Sequence, residues 1–160
     1  MIRVQALPFD VGAELGAFTR GRHDVGGIAS FVGLVRDEHG GEPVQAMTLE
    51  HYPGMTEREL RAIEAEARRR WPLLDCLVIH RHGRMLPGEP IVLVATASAH
   101  RHAALDACAF LIDWLKTRAP FWKLEETATG ERWVEARAGD DQAAARWQAG
   151  DTPGGTGEVR

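Results

Sequence analysis

Only two lysines stand among the 17 arginines of this 160-residue chain, and both fall within Lys116-Thr-Arg-Ala-Pro-Phe-Trp-Lys123. Where the chain needs nothing more than a cation, it uses arginine. A lysine kept against that habit marks a place for a compact amine that can lose its proton when desolvated, which a guanidinium cannot do. Phe121 and Trp122 directly precede Lys123, and flat apolar walls beside an amine favour its neutral form. Perturbed amines gather at functional sites, so this segment is the first candidate for chemistry. Compositional drift, and an aromatic pair belonging to the core, are the structural alternatives.

A second candidate is Ser98-Ala99-His100-Arg101, where a strand gives way to a helix. Backbone N–H groups at a helix start, with Arg101 beside them, would converge on a phosphate or carboxylate next to His100. Lys116 lies 16 residues further along the same helix, about 24 Å by helical rise. The two cannot share one small site within a subunit, so the site is either assembled across a subunit interface or built on a shorter helix. His80-Arg81-His82 and His100-Arg101-His102 place histidines at alternate positions, as metal-ligand pairs on a strand would be. No acidic cluster or cysteine pair accompanies them at ligand spacing, so no metal is expected, and His82 and His102 read as surface residues. Cys76 and Cys108 sit among apolar neighbours and read as small buried hydrophobes rather than a disulfide or nucleophiles.

The elements that must position these residues follow from periodicity and turn chemistry. Strands are expected at residues 26–36 and 44–52, joined as a hairpin by His39-Gly40-Gly41-Glu42-Pro43. Thr56-Glu57-Arg58-Glu59 matches a capping box for a helix reaching Trp71, where Pro72 stops it. Residues 74–81 and 90–97 form a second hairpin around Pro87-Gly88, followed by a helix over 100–116 with one buried stripe. Two further strands are expected at 121–126 and 131–137 around Thr129-Gly130, then a short helix at 141–147. The order strand-strand-helix twice, then strands, predicts an α+β sheet with its helices on one side. One domain over residues 1–147 and a disordered glycine-rich tail over 148–160 complete the organisation.

A net charge of −4 and an isoelectric point near 6 argue against a general nucleic-acid binder. Arg68-Arg69-Arg70 is explained by the carbonyl end of its helix. The amino terminus lacks a basic region followed by an apolar core, and no stretch approaches a membrane span. A cytoplasmic protein that engages neither membrane nor nucleic acid is expected.

Taken together, Phe31-Val-Gly-Leu-Val-Arg36, Leu49-Glu-His-Tyr-Pro-Gly-Met55, His80-Arg81, Ser98-Ala-His-Arg101, Lys116 to Lys123 and Trp133-Val-Glu-Ala-Arg137 resemble the catalytic large subunit of molybdopterin synthase. The likeness runs from about Phe9 to Trp147. It implies an α/β-hammerhead-like fold made of two hairpin-helix units and a small additional β subdomain. It also implies a sulfurtransferase that converts cyclic pyranopterin monophosphate into molybdopterin without a cofactor of its own. The two dithiolene sulfurs would arrive on the C-terminal Gly-Gly thiocarboxylate of a small ubiquitin-like carrier, and two copies of this chain would form the centre of a heterotetramer. By resemblance, Lys116 and Lys123 are the catalytic lysines, and Arg36, His100, Arg101, Glu125 and Arg137 are substrate-binding positions. Leu34 stands where relatives often carry a basic residue. Two competing readings are a non-catalytic α+β scaffold that binds a partner's extended C-terminal tail and a Schiff-base enzyme using one of the lysines.

Overall fold

A strand covered on both faces needs apolar side chains at consecutive positions rather than alternate ones. Leu77-Val78-Ile79 and Val92-Leu93-Val94-Ala95 have that character, and they form the middle of a sheet with an apolar core on each face. The computed structural model describes residues 1–135 and 138–148. Along it run β1 (Ile2–Gln5), α1 (Val11–Thr19), β2 (Gly27–Leu34), β3 (Glu38–His39), β4 (Glu42–His51), α2 (Met55–Arg70), β5 (Leu73–Arg81), β6 (Gly83–Met85), β7 (Pro90–Ser98), α3 (Arg101–Arg118), β8 (Phe121–Thr127), β9 (Gly130–Val134) and α4 (Ala138–Ala145). One sheet has the order β1-β5-β7-β2, with β1 parallel to β5 and the other pairs antiparallel. The second has the order β3-β4-β8-β9, with β6 also pairing on β4. The fold is α+β.

Because side chains alternate across a strand, the first sheet has two separate apolar faces. Cys76, Val78, Val92 and Val94 meet α2 and α3 through Leu60, Ile63, Ala107, Phe110 and Leu111. Leu77, Ile79, Leu93 and Ala95 are covered on the opposite side by Phe9, Val11, Leu15 and Phe18. The expectation of helices on one side is therefore corrected by α1. Asp10 caps that helix, its carboxylate accepting from Ala13 N at 2.7 Å. Two glycines in nine residues each cost about 1 kcal/mol of helix propensity, and burial on the sheet outweighs them.

The first expected hairpin is also rearranged. Gly40 and Gly41, at φ 62° and 84°, do make a two-residue turn of the hairpin kind. Its first arm, however, is the short β3, with His39 opposite Glu42. The chain leaves the first sheet just after β2, where Val35 N donates to Glu89 O at 3.0 Å and Val35 O accepts from Gly88 N at 2.7 Å. From there β2 stays on β7 and β4 pairs with β8. The capping box begins earlier than expected: Gly54 is the cap, and the Glu57 carboxylate accepts from Gly54 N at 2.6 Å. Thr56 is fully buried, its hydroxyl donating to Tyr52 O at 3.0 Å. The last helix starts at Ala138 rather than 141, and Trp147 beyond it packs edge-on against Trp71 and Phe110. Arg137 and the tail from 149 onward lie outside the described residues.

His80 is 4% exposed and stacks on Phe121 with ring centroids 3.8 Å apart, while Nδ1 donates to Arg81 O at 2.8 Å. Burial pushes its imidazole from 6.5 down to about 4. Between those values the unfolded chain takes up a proton that the folded chain refuses, so stability is fully present above pH 6.5 and falls towards pH 4. The expected loss is roughly 3 kcal/mol. Half-buried His82, also held low by burial and its neighbour His51, adds in the same direction. Urea midpoints at pH 7.0, 5.5 and 4.5 should show this slope, and His80→Gln should flatten it.

Candidate active site

Lys123 and Glu125 are two apart on β8 and so project from the same face. The register of the β8–β9 hairpin puts Arg132 directly across from Glu125. The β3–β4 turn brings His39 to the same place. Glu125 is only 4% exposed, and three cationic or proton-bearing groups surround it. His39 Nδ1 lies 2.9 Å from both carboxylate oxygens, Arg132 Nη2 stands 3.1 Å from Oε2, and Lys123 Nζ stands 3.4 Å from Oε1. An ionised carboxylate only accepts, so Nδ1 of His39 carries the proton in this contact. Burial works against the charged form of Glu125. The hydrogen bonds from His39 and Arg132 and the charge of Lys123 outweigh it and hold the carboxyl below the usual range.

This cluster walls a cavity of about 50 Å³ lined by Leu34, Val35, Arg36, Val44, Met47, Ile91, Lys123 and Glu125, with Glu38 at its edge. The apolar wall beside Lys123 is thus supplied by buried Val35, Val44 and Met47. Trp122 faces the other way, 48% exposed and 6.5 Å from Tyr52, so it does not shield the amine as its place in the sequence implied. Phe121 is taken up by His80.

Arg36 is exposed at the cavity and makes no ion pair among the described residues. Lys116 is exposed near the C-terminal end of α3. His100 caps the opposite end of that helix and Arg101 opens its first turn, both exposed. That corner is held by close backbone packing. A Cβ on Gly26 would stand 2.0 Å from Ala99 O, and one on Gly27 would lie 3.4 Å from Arg101 Cα. Ser98, fully buried, donates from Oγ to Pro72 O at 2.9 Å and accepts from His100 N at 3.3 Å. The structure therefore gathers Arg36, Lys123 and Glu125 at one cavity and leaves His100 and Arg101 roughly 24 Å from Lys116 along α3.

His39 and Arg132 escaped sequence reasoning. The register of Arg132 was legible, because a tight turn through Ala128-Thr129 makes 125 and 132 partners by counting. His39 was not, since only the tertiary path of β3 brings it to Glu125. Cys76 and Cys108 are buried free thiols, pushed up by burial to about 12 and about 11, and so unsuited to act as nucleophiles.

An α+β chain with a narrow cavity lined by an amine, a buried carboxylate and an exposed guanidinium has the equipment of a group-transfer enzyme acting on an anionic substrate. The family model described as MoaE protein matches residues 4–118, and the chain belongs to that family. It is 58% identical over 147 residues to the molybdopterin synthase catalytic subunit of Pseudomonas aeruginosa, covering 92% of this chain and 98% of that one. The solved MoaE protein from Burkholderia ambifaria superposes with a TM-score of 0.79 at 53% identity, over 92% of this chain and 97% of that one. Molybdopterin synthase from Staphylococcus aureus gives 0.77 at 28% identity, over 83% and 96%.

Gly26→Ala should destabilise the fold by about 2 kcal/mol or more, because backbone must move to admit the methyl group. Gly16→Ala, where nothing lies within 4 Å of the added Cβ, should stabilise it by about 0.5–1 kcal/mol. Urea unfolding of the two variants checks both signs.

Proposed function

We propose that this chain is the catalytic subunit of a molybdopterin synthase, converting cyclic pyranopterin monophosphate into molybdopterin with sulfur carried on the C-terminal thiocarboxylate of a small ubiquitin-like partner. The observation that carries this reading is the Lys123–Glu125 pair in the wall of a narrow cavity with Arg36 beside it, in a chain so close to known catalytic subunits. A narrow cavity suits an extended Gly-Gly tail, which brings no side chains of its own. Lys123, its ammonium oriented by Glu125, would hold the thiocarboxylate anion as its sulfur bonds to a substrate carbon, and then the tetrahedral oxyanion as water cleaves the acyl–sulfur bond, leaving the thiolate on the substrate and a carboxylate on the carrier. Lys116, exposed in the last turn of α3, would meet the same tail or the substrate. Arg36, Arg101 and Arg137 would hold the cyclic phosphate by charge-assisted hydrogen bonds, and His100 would bind or donate a proton.

The length of α3 supports a homodimer in which His100 and Arg101 of one copy complete the cavity of the other, with a carrier at each end of a heterotetramer. No helix among the described residues is long and apolar enough to cross a membrane. We place the reaction in the cytoplasm, where the reducing poise keeps Cys76 and Cys108 as thiols.

The direct test combines the purified chain with cyclic pyranopterin monophosphate and a thiocarboxylated carrier and measures dithiolene product. Product is expected from the parent chain, with losses of about 10²-fold or more in Lys116→Ala and Lys123→Ala. Arg36→Ala should act mainly through KM, as loss of a ground-state phosphate contact does. A chain that binds the carrier yet makes no product would replace this reading with the scaffold.

A further inference from the structure

The three partners of Glu125 are not equivalent. Arg132 is clamped, since Nη1 ion-pairs with Glu42 while Nη2 also donates to His39 O at 3.4 Å. Its guanidinium ties β9 to the β3–β4 turn. Lys123 Nζ stands 3.4 Å from one carboxylate oxygen, Oε1. His39 contacts that same oxygen at 2.9 Å, through a ring nitrogen whose only partner among the described residues is Glu125. It stands on a two-residue strand beside the Gly40-Gly41 turn, and imidazole is the side chain whose charge changes most readily near neutral pH.

We propose that His39 is a positioning residue for Lys123, acting through Glu125: imidazole and amine compete for one buried carboxylate, and His39 sets how much of its charge the amine receives. The proposal rests on the reading that Lys123 serves the sulfur-transfer step. It gives the β3–β4 hairpin a task beyond closing the sheet edge. The charged groups around the carboxylate are His39 from β3, Lys123 from β8 and Arg132 from β9, with Glu42 of β4 facing Arg132 and Arg36 and Glu38 lining the same cavity. With His39 present, the negative charge of Glu125 is divided three ways. Without it, the carboxylate turns to Lys123, the ammonium form is stabilised, and the amine is less available to a ligand. Removing the carboxylate charge acts in the opposite direction.

The scarcity of lysine makes the test direct. Lysine labelled with ¹³C at Cε gives two side-chain signals, and Lys116→Arg assigns them. In His39→Ala the titration midpoint of Lys123 should rise by roughly half a pH unit or more relative to the parent chain, while the Lys116 signal stays in place. Glu125→Gln should lower the Lys123 midpoint. His39→Gln, whose amide still donates to the carboxylate, should stay close to the parent. With substrate and carrier, His39→Ala should lose several-fold in kcat with KM little changed, and His39→Gln should recover most of it. A Lys123 midpoint that does not move in His39→Ala overturns the proposal. So does a kcat loss that His39→Gln shares while its Lys123 midpoint stays at the parent value, since that is the mark of a purely structural histidine. Full turnover in Lys123→Ala would sink the reading of Lys123 and this proposal with it, and that outcome is recognisable because the parent Lys123 signal would still respond to His39.

Discussion

Helix α3 is held along its whole length, and that rigidity governs where chemistry can occur. Ala103, Ala104, Ala107, Cys108, Phe110, Leu111 and Leu115 bury one side of it, and the buried Thr96 hydroxyl donates to Ala104 O at 2.7 Å. At its start, Gly26 sits so close to Ala99 that no side chain fits between them. At its end, Ala119 leads straight into β8, with Phe121 N donating to Ala119 O at 2.9 Å. A helix gripped in this way cannot bend its two ends towards a common ligand. The corner at His100 and Arg101 and the lysines near the other end are therefore held apart, and in the proposed dimer a second copy of the chain joins them.

The lysine half-site depends on a different constraint. A carboxylate as deeply buried as Glu125 must be neutralised by its surroundings, and such clusters stabilise folds little compared with apolar packing of the same volume. Its value lies in arrangement. Glu125 draws together β3, β8 and β9, three strands that share no apolar cluster, and fixes the amine of Lys123 at the wall of the cavity. Arg132 spans Glu125 and Glu42, and Glu42 is held low by hydrogen bonds from Thr129 and Thr127 and by the charge of Arg132. The static half of the network is thus Arg132 with Glu42, and the adjustable half is His39 with Lys123.

Much of this was written in the local sequence. The α2 and α3 stripes, the β5–β7 pairing through Pro87-Gly88 and the β8–β9 hairpin follow from periodicity and turn residues, and so does the separation of His100 from Lys116. The rest was set by tertiary competition. Gly40-Gly41 specified a turn but could not say that β2 would be captured by β7, since that choice lies in backbone bonds between Val35 and the distant Gly88-Glu89 turn. The glycines of α1 concealed a helix that exists because the second face of the sheet needs cover. Trp122, read as a wall for Lys123, faces outward because alternation along β8 gives that side to Lys123 and Glu125. The scarcity of lysine and then the family motifs singled out the lysines, but the burial of Glu125 and its contact with His39 became visible only once the strands were in register.

The proposed site is built from two halves on two copies of the chain, and subunit mixing tests this arrangement most directly. Lys123→Ala and Arg101→Ala chains, each expected to be inactive alone, would be co-expressed with distinguishable tags and assayed for dithiolene formation as the mixed dimer population. If the cavity of one copy is completed by the corner of the other, mixing restores about a quarter of the parent activity, because half of the dimers are mixed and each of those holds one intact site. If both residues serve a site within one chain, every site in the mixture carries a defect. Activity that stays at the level of the separate variants would then contradict the account.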